Sequence, residues 1–163
     1  LNEHSESLHI KELVQLCKNH QVSLITDCGT PGFSDPGAEL VAQCRKQNIP
    51  VTSCPGASSL TTFLSLCGVK LTRFHFEGFL PRESEKREKR LKQLSQFKIP
   101  IILMDTPYRL KKTLGECTKH FSGKKCVLGM DLTKDNEEVL AGSMQEVSKR
   151  YKGDKREFLL LLY

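Results

Sequence analysis

The chain has 163 residues, of which 38% are hydrophobic and 27% charged, and it carries a formal net charge of +6 at pH 7. The apolar content is sufficient for a packed core, and no apolar run reaches the roughly 18 residues that a membrane-spanning helix needs, so no membrane partner is expected. The basic balance is compatible with nucleic-acid binding, because lysine and arginine displace counterions from phosphates, but charge alone does not decide it.

The cysteines and histidines indicate neither a disulfide framework nor a metal site. The seven cysteines are an odd number without a Cys-x-x-Cys pair, and the five histidines share no metal-ligand spacing. Such a distribution is typical of a reducing compartment, in which most cysteines act as small buried hydrophobes. The sequence therefore predicts a cytoplasmic protein without a metal.

The first part of the chain alternates between helix and strand patterns. Apolar side chains recur at helical spacing in three segments, and two short strand-like segments separate them. The predicted elements are a helix at 7–20, a strand at 22–26, a helix at 38–47, a strand at 50–54 and a helix at 60–67. This order is typical of a parallel α/β unit with both strand-to-helix turns at one edge of the sheet.

Both strand-to-helix turns are candidate binding loops. The first, at 29–37, holds three glycines and two prolines, which permit close approach of a ligand to the backbone and stiffen the turn. The second, Pro55–Ser59, opens a helix whose free N–H groups can receive an anionic group such as a carboxylate. The first loop is equally explained as a tight connection, and Ser58 and Ser59 as helix caps, so both interpretations stay open at this point.

After Gly68 the pattern changes, which predicts a boundary at 68–73 and two domains, 1–70 and 71–163. Strand and helix patterns still alternate in the second domain. The predicted elements there are a strand at 73–79, a helix at 84–96, a strand at 100–104, a helix at 108–121, a strand at 126–130, a helix at 144–151 and a strand at 156–163.

A run of charged residues begins the long helix of the second domain. It is explained most simply as a solvated helix face with pairs such as Glu85 and Lys89 at a spacing of four. The alternative is an RNA-facing patch, because cations outnumber acids locally, although no aromatic residues are interleaved with them. The cations of this patch are Lys86, Arg87, Lys89, Arg90 and Lys92.

Several short blocks stand in an order that is shared with one family. They are Asp27-Cys28-Gly29-Thr30-Pro31 with Ser34-Asp35-Pro36-Gly37, Pro55-Gly56-Ala57-Ser58-Ser59, Glu77-Gly78-Phe79-Leu80-Pro81, Thr106-Pro107-Tyr108-Arg109-Leu110 and, more weakly, Asp131-Leu132-Thr133-Lys134. On these blocks the chain resembles the tetrapyrrole methylase superfamily of S-adenosylmethionine-dependent methyltransferases. Within it, the likeness is greatest to the ribosomal small subunit RNA 2′-O-ribose methyltransferase branch, and it spans nearly the whole chain.

The resemblance implies a fold, a cofactor and a site. It implies two α/β/α domains facing a cleft, usually in a homodimer, with S-adenosylmethionine between the domains and RNA as the substrate. The loop around Gly29, Thr30, Pro31 and Phe33 would hold the methionine part through backbone groups. Ser58 and Ser59 would contact the cofactor at a helix start, and Met104, Asp105 and Leu132 would line the nucleoside pocket. No catalytic base is implied.

The chain departs from the family in three places. Family members begin with a further strand and a Pro/Gly-containing loop that form one wall of the site, so the first domain is expected to be incomplete and cofactor binding weak or absent. The family's tyrosine-glutamate-serine block is Met104-Asp105-Thr106 here, and its arginine-glutamate-leucine-threonine-lysine block is Met130-Asp131-Leu132-Thr133-Lys134. Two alternatives therefore stay open: a methyltransferase for corrin or porphyrin intermediates, and a non-catalytic methylase-like module that binds RNA or a partner.

Overall fold

The computed structural model describes residues 6–26 and 29–163, so Asp27 and Cys28 of the first sequence block lie outside it. The helices are α1 (Glu6–Asn19), α2 (Ala38–Lys46), α3 (Ser59–Leu66), α4 (Ser84–Leu94), α5 (Leu110–His120) and α6 (Met144–Arg150). The strands are β1 (His75–Phe79), β2 (Ile101–Asp105), β3 (Lys125–Met130), β4 (Glu138–Ser143) and β5 (Phe158–Leu162). Within these ranges, no helix combines the length and the apolar character that crossing a membrane requires.

The chain divides into two compact units, residues 1–59 and 60–163. The division falls at the start of α3, ahead of the predicted domain boundary at 68–73. The physical reason is that α3 packs its apolar face, with Phe63 and Cys67 buried, onto the sheet of the second unit. The domain division predicted from the sequence stays a prediction.

The first unit consists of two packed helices and their connections. The predicted helices at 7–20 and 38–47 are confirmed as α1 and α2. Their contact is apolar, since residues spaced three and four apart place their side chains on one face of each helix. The side chains in this contact are Val14, Leu40 and Cys44, with Ile10, Leu13, Cys17 and Ile49 partly buried around them.

The two strands predicted in the first unit are wrong. Residues 22–26 and 50–54 form no strand, and Val22, Ile25 and Val51 are exposed. A segment forms a β-strand only where a neighbouring strand hydrogen-bonds to its backbone groups, and an isolated pair of strands is only marginally stable in water. No described segment of this unit forms a neighbouring strand, so these two segments form no sheet despite their apolar pattern.

The loop before α2 has the backbone conformation that its glycines allow. Positive φ angles occur at Gly29, Gly32 and Gly37, and also at Ser34. At Gly37, which begins α2, φ is 126° and an added Cβ would lie 2.5 Å from a methyl carbon of Leu24. Glycine suits this position because other residues rarely adopt such a φ angle, and any added side chain would also require Leu24 to move.

The second unit is built on one mixed five-stranded sheet, in the order β1-β2-β5-β3-β4. β1 and β2 are parallel, whereas β5 is antiparallel to both β2 and β3, and β4 is antiparallel to β3. The strands β1, β2 and β3 therefore run in one direction, and β4 and β5 in the other. β4 was not predicted.

The two faces of this sheet carry separate apolar clusters. Because alternate residues of a strand point to opposite faces, Ile101 and Leu103 pack beneath α4, α5 and α6, whereas Ile102 packs beneath α3. β3 also brings Gly129 to the α3 face, where an added Cβ would lie 2.7 Å from the ring of Phe63. The absent side chain therefore makes room for the buried phenylalanine that holds α3.

Candidate functional site

One edge of the sheet collects the three predicted site residues of the second unit. The strands β1, β2 and β3 end at this edge, while β4 and β5 begin there. Met104 and Asp105 are the last two residues of β2, and Leu132 follows the end of β3. Ligands of α/β proteins bind most often beyond the carboxyl ends of such strands.

Met104 and Leu132 share the α3 face of this edge. Both are half-buried and pack against the apolar cluster that contains Phe63 and Val127. Leu132 also lies close to Gly129, where an added Cβ would meet its methyl carbon at 3.1 Å. The two side chains thus offer a partly open apolar surface, which suits an uncharged aromatic group.

Asp105 points to the opposite face, into a buried polar network. Its Oδ2 accepts a hydrogen bond from Nη1 of Arg87 at 2.9 Å, and Oδ1 accepts one from the N–H of Thr106 at 2.8 Å. Arg87 also donates from Nε to Glu116 at 2.5 Å and from Nη2 to Thr113 at 2.6 Å. The Asp105 carboxylate is therefore already engaged within the fold.

The guanidinium of Arg87 is held in its charged form by these contacts. Burial by itself lowers the pKa of Arg87, but the hydrogen bonds and charges of Glu116 and Asp105 outweigh it and raise the pKa above its ordinary value. Three elements, α4, β2 and α5, are joined by this one side chain.

A second network fixes the loop that carries Leu132. Asp131 is buried and accepts hydrogen bonds from Nε of Arg156 at 2.7 Å and from Nδ2 of Asn136 at 2.7 Å. Arg156 also donates to Glu138 at 2.5 Å and to the carbonyl of Asn136. The loop backbone is strained, with φ at 46° in Asp131 and at 67° in Thr133. The network holds the loop in a backbone conformation that aspartate and threonine rarely adopt.

We expect Asp131→Asn to make stability less sensitive to acid. Burial raises the pKa of Asp131, but Arg156 and the hydrogen bonds of the network outweigh it and lower the pKa. The resulting stability is present above the unfolded-state pKa, about 3.9, and is lost as pH falls through the lower folded-state pKa. Urea unfolding should show the variant about 1–3 kcal/mol less stable than the wild type at pH 7, with the gap closing toward pH 2.

The control for this prediction is Asp135→Asn, an exposed position of the same loop. It should leave the unfolding free energy within about 0.5 kcal/mol of the wild type at both pH values. A gap between Asp131→Asn and the wild type that stays constant from pH 7 to pH 2 would contradict the proposed role of the carboxylate.

The predicted residues of the first unit lie on its loops. Gly29, Thr30 and Phe33 are exposed and Pro31 is half-buried. A turn closes this segment, with the N–H of Phe33 donating to the carbonyl of Thr30 at 3.2 Å. The exposed backbone at Gly29 and Thr30 is compatible with ligand contact, and their assignment to the cofactor stays a prediction.

Ser58 and Ser59 lie at the start of a helix, as the sequence predicts. Ser59 is the first residue of α3, and Ser58 precedes it and is half-buried. The helix itself confirms the prediction of a helix at 60–67. A role for either serine beyond the helix start is a prediction that the geometry leaves untested.

The charged helix α4 is less available to a partner than the sequence indicates. Arg87 is buried, and Arg90 donates two hydrogen bonds to Glu77, from Nε and Nη2, each of 2.6 Å. Burial raises the pKa of Glu77, but Arg90 and His75 outweigh it and lower the pKa. Two of the five cations of the hypothetical RNA-facing patch are thus used inside the fold, which favours the solvated-face interpretation.

Other possible sites in the described residues are weak. Shallow depressions lie on α1 and between α1 and α2, and none of the predicted site residues lines them. The described ranges contain no group of three or more histidine, cysteine or acidic residues that could hold a metal ion. Within the second unit, the sheet edge is therefore where the predicted residues Met104, Asp105 and Leu132 come together.

The sequence left several residues of this edge unnoticed. Arg156 and Asn136 hold Asp131, and Thr113 and Glu116 hold Arg87. Arg87 is identified from the sequence only as a cation of the hypothetical RNA-facing patch, although its spacing of four and seven residues from Leu91 and Leu94 is a signal that it lies on the buried face of α4.

Comparison with known proteins identifies the family of this fold. A family model of the tetrapyrrole (corrin/porphyrin) methylases matches residues 2–148. The chain belongs to this methylase family. The match confirms the resemblance that the sequence blocks indicate.

Curated methylase relatives are similar over nearly all of this chain. Ribosomal RNA small subunit methyltransferase I of Rickettsia prowazekii is 36% identical over 99% of this chain and 59% of its own length. The protein of the same name from Synechocystis is 36% identical over 92% of this chain and 55% of its own length. The chain thus spans little more than half the length of these curated relatives.

A solved structure confirms the methylase fold. Uroporphyrin-III C-methyl transferase from Thermus thermophilus, complexed with S-adenyl homocysteine, superposes with a TM-score of 0.61, over 97% of this chain and 73% of that chain. At 12% identity the likeness shows the fold alone. The predicted α/β class of the methylase type is confirmed, with a mixed sheet covered by helices.

Proposed function

We propose that this methylase chain is part of an S-adenosylmethionine-dependent methyltransferase that acts on small-subunit ribosomal RNA. The observation that carries the proposal is the sheet edge at which β2 and β3 end, with Met104 and Leu132 forming a half-open apolar surface on one face. The names of the curated relatives support both the reaction and the substrate.

The residues of this edge fit the nucleoside part of the cofactor. An adenine ring needs apolar side chains against its faces and backbone groups at its rim. Met104 and Leu132 supply the first, whereas the side chain of Asp105 is bound by Arg87 and supplies no contact to the ring. The assignment of Gly29, Thr30, Pro31, Phe33, Ser58 and Ser59 to the rest of the cofactor is carried by the resemblance.

The protein's contribution to the reaction is positioning. When bound, S-adenosylmethionine would supply a methyl group on a positively charged sulfur. A ribose hydroxyl oxygen would form the new O–C bond by in-line attack on the methyl carbon, the C–S electron pair would leave with sulfur, and the hydroxyl proton would pass to solvent. Holding the two reactants in line removes much of the entropic barrier. The rigid loop 131–133 and the strand end at Met104 keep the apolar surface in place, because their conformations are fixed by buried networks.

Assembly and location are part of the same proposal. We propose a homodimer in the cytoplasm, where ribosomal RNA is the substrate. Ile25 and Val51 are exposed apolar side chains of the first unit. Exposed apolar side chains of this kind support the proposal, because a second copy of the chain could cover them in a dimer. Light scattering on the purified chain tests the dimer, since the monomer has a mass of 18.4 kDa.

We expect Leu132→Ala to weaken cofactor binding without unfolding the chain. Calorimetry with S-adenosylhomocysteine should show saturable binding by the wild type and about a tenfold lower affinity in the variant, about 1.4 kcal/mol, because an apolar contact with the nucleoside is lost. The matched control is Val69→Ala, at a half-buried position that packs against the same apolar cluster after α3. Its affinity should equal that of the wild type.

Each outcome bears on a different part of the proposal. Unchanged affinity in Leu132→Ala would show that the nucleoside does not lie at this edge. A wild type that binds no S-adenosylhomocysteine would contradict cofactor binding by this chain, and would agree with the incomplete first domain or with the non-catalytic methylase-like module. Transfer of a labelled methyl group to undermethylated small-subunit RNA supports the substrate, and transfer to a porphyrin precursor instead would favour the corrin or porphyrin alternative.

A further inference from the structure

Two aromatic side chains of the second unit are exposed, and both lie at the sheet edge. Phe79 is the last residue of β1 and is 49% exposed, and Tyr108 follows β2 and is 76% exposed. β1 and β2 are neighbours, with Phe79 paired to Met104 in the register. Single exposed aromatics are common on protein surfaces, so exposure alone does not mark Tyr108 as a site, and a second observation is needed.

Tyr108 also makes a cation–π contact with Lys155. The Nζ atom of Lys155 lies 4.7 Å from the centre of the Tyr108 ring. This lysine belongs to the connection that leads into β5, which pairs with β2. A cation over one face of a ring stabilises its position, and the high exposure of Tyr108 leaves other parts of the ring open to a second group.

We infer that Tyr108, backed by Lys155, is a stacking platform for one base of a single-stranded RNA substrate. Every base has an aromatic face, so stacking on tyrosine binds RNA with little sequence preference. The cation beside the ring adds attraction for the neighbouring phosphate. The inference rests on the proposed function and assigns the substrate contact to this edge rather than to α4.

Further cations lie on the chain segments that border this edge of the sheet. Arg82 and Lys152 are exposed on the segments that follow β1 and precede β5. Arg109, next to Tyr108, is partly exposed, and its guanidinium lies 3.4 Å from Asp105. The acids Asp154 and Glu157 are also present on the connection before β5, and Glu157 is paired with Lys134 at 2.8 Å.

The test measures binding of a fluorescein-labelled, single-stranded RNA of mixed sequence by anisotropy. Tyr108→Leu, which keeps apolar bulk but removes the ring, should bind about tenfold more weakly, whereas Tyr108→Phe should bind like the wild type. Lys155→Ala should weaken binding and reduce the salt dependence by about one released counterion. Lys89→Ala, at an exposed position of α4, should change the affinity less than about twofold.

The outcomes separate this inference from the proposed function. If the wild type binds the RNA and Tyr108→Leu binds it equally well, the platform is wrong and the proposed function stands. If Lys89→Ala weakens binding as much as Lys155→Ala, the RNA lies on α4 and the inference is overturned. If the wild type binds S-adenosylhomocysteine but not the RNA, both the platform and the RNA substrate are wrong. Calorimetry with S-adenosylhomocysteine on Tyr108→Leu checks that the fold and the cofactor site persist.

Discussion

Replacing Arg87 with methionine is expected to lower the free energy of unfolding by about 3–5 kcal/mol. The side chain is 1% exposed and bonds at once to Asp105, Glu116 and Thr113. Methionine fills much of the same volume but leaves the buried Asp105 carboxylate without its main counter-charge. An uncompensated buried charge is among the few single changes that destabilise a domain this strongly.

Urea unfolding measures this prediction, and Lys89→Met is the matched control. Lys89 is an exposed position of the same helix, so the same substitution there should change the unfolding free energy by about 0.5 kcal/mol at most. Adding Asp105→Asn to Arg87→Met should recover part of the lost stability, because it removes the stranded charge. A loss below about 1 kcal/mol in Arg87→Met would show that the network contributes little.

Truncating Phe63 to alanine is expected to be comparably severe, with a loss of about 3–5 kcal/mol. The ring is fully buried between α3 and the sheet, against Val127, Leu161 and the bare backbone of Gly129. Its removal leaves a cavity that the rigid strands cannot close. Because Phe63 attaches α3 to the sheet, hydrogen exchange in α3 should accelerate more than in α5.

Two further variants make this prediction specific. Leu66→Ala, at a 42% exposed position of the same helix, should lose less than about 1 kcal/mol. Gly129→Ala should lose about 1–3 kcal/mol in the wild type, because its methyl group meets the Phe63 ring, and less in the Phe63→Ala background. Equal losses in both backgrounds would mean that the two positions are not in contact as described.

The helices were predictable because their apolar side chains follow the helical period in the sequence alone. The strands of the first unit were not, since Val22 and Ile25 carry a strand-like pattern but have no paired neighbour. β4 escaped prediction for the opposite reason. It contains Ala141 and Gly142, which give a weak pattern, yet six residues pair with β3. Pairing is a property of distant segments, and local composition does not report it.

Some features of the candidate site could likewise be predicted from the sequence, and others depend on distant segments. Met104 and Leu132 lie at one edge of the sheet, because Met104 is near the end of β2, Leu132 follows β3, and these two buried strands run in the same direction. Their role in cofactor binding stays a prediction. The side chain of Asp105 could not be placed from the block, since a single residue step turns it to the other face of the sheet. Arg156 lies 25 residues from Asp131 in sequence, and only the folded chain brings them together.

The position of β5 has a consequence for synthesis of the protein. It follows every other strand in the sequence and yet lies between β2 and β3. Until β5 leaves the ribosome, the pair β1–β2 and the hairpin β3–β4 each expose an unpaired apolar strand edge. Because synthesis proceeds at about 5–20 residues per second, these edges stay exposed for a time on the order of seconds. Such edges invite pairing with other chains, so nascent copies need protection from aggregation until the central strand joins the two halves.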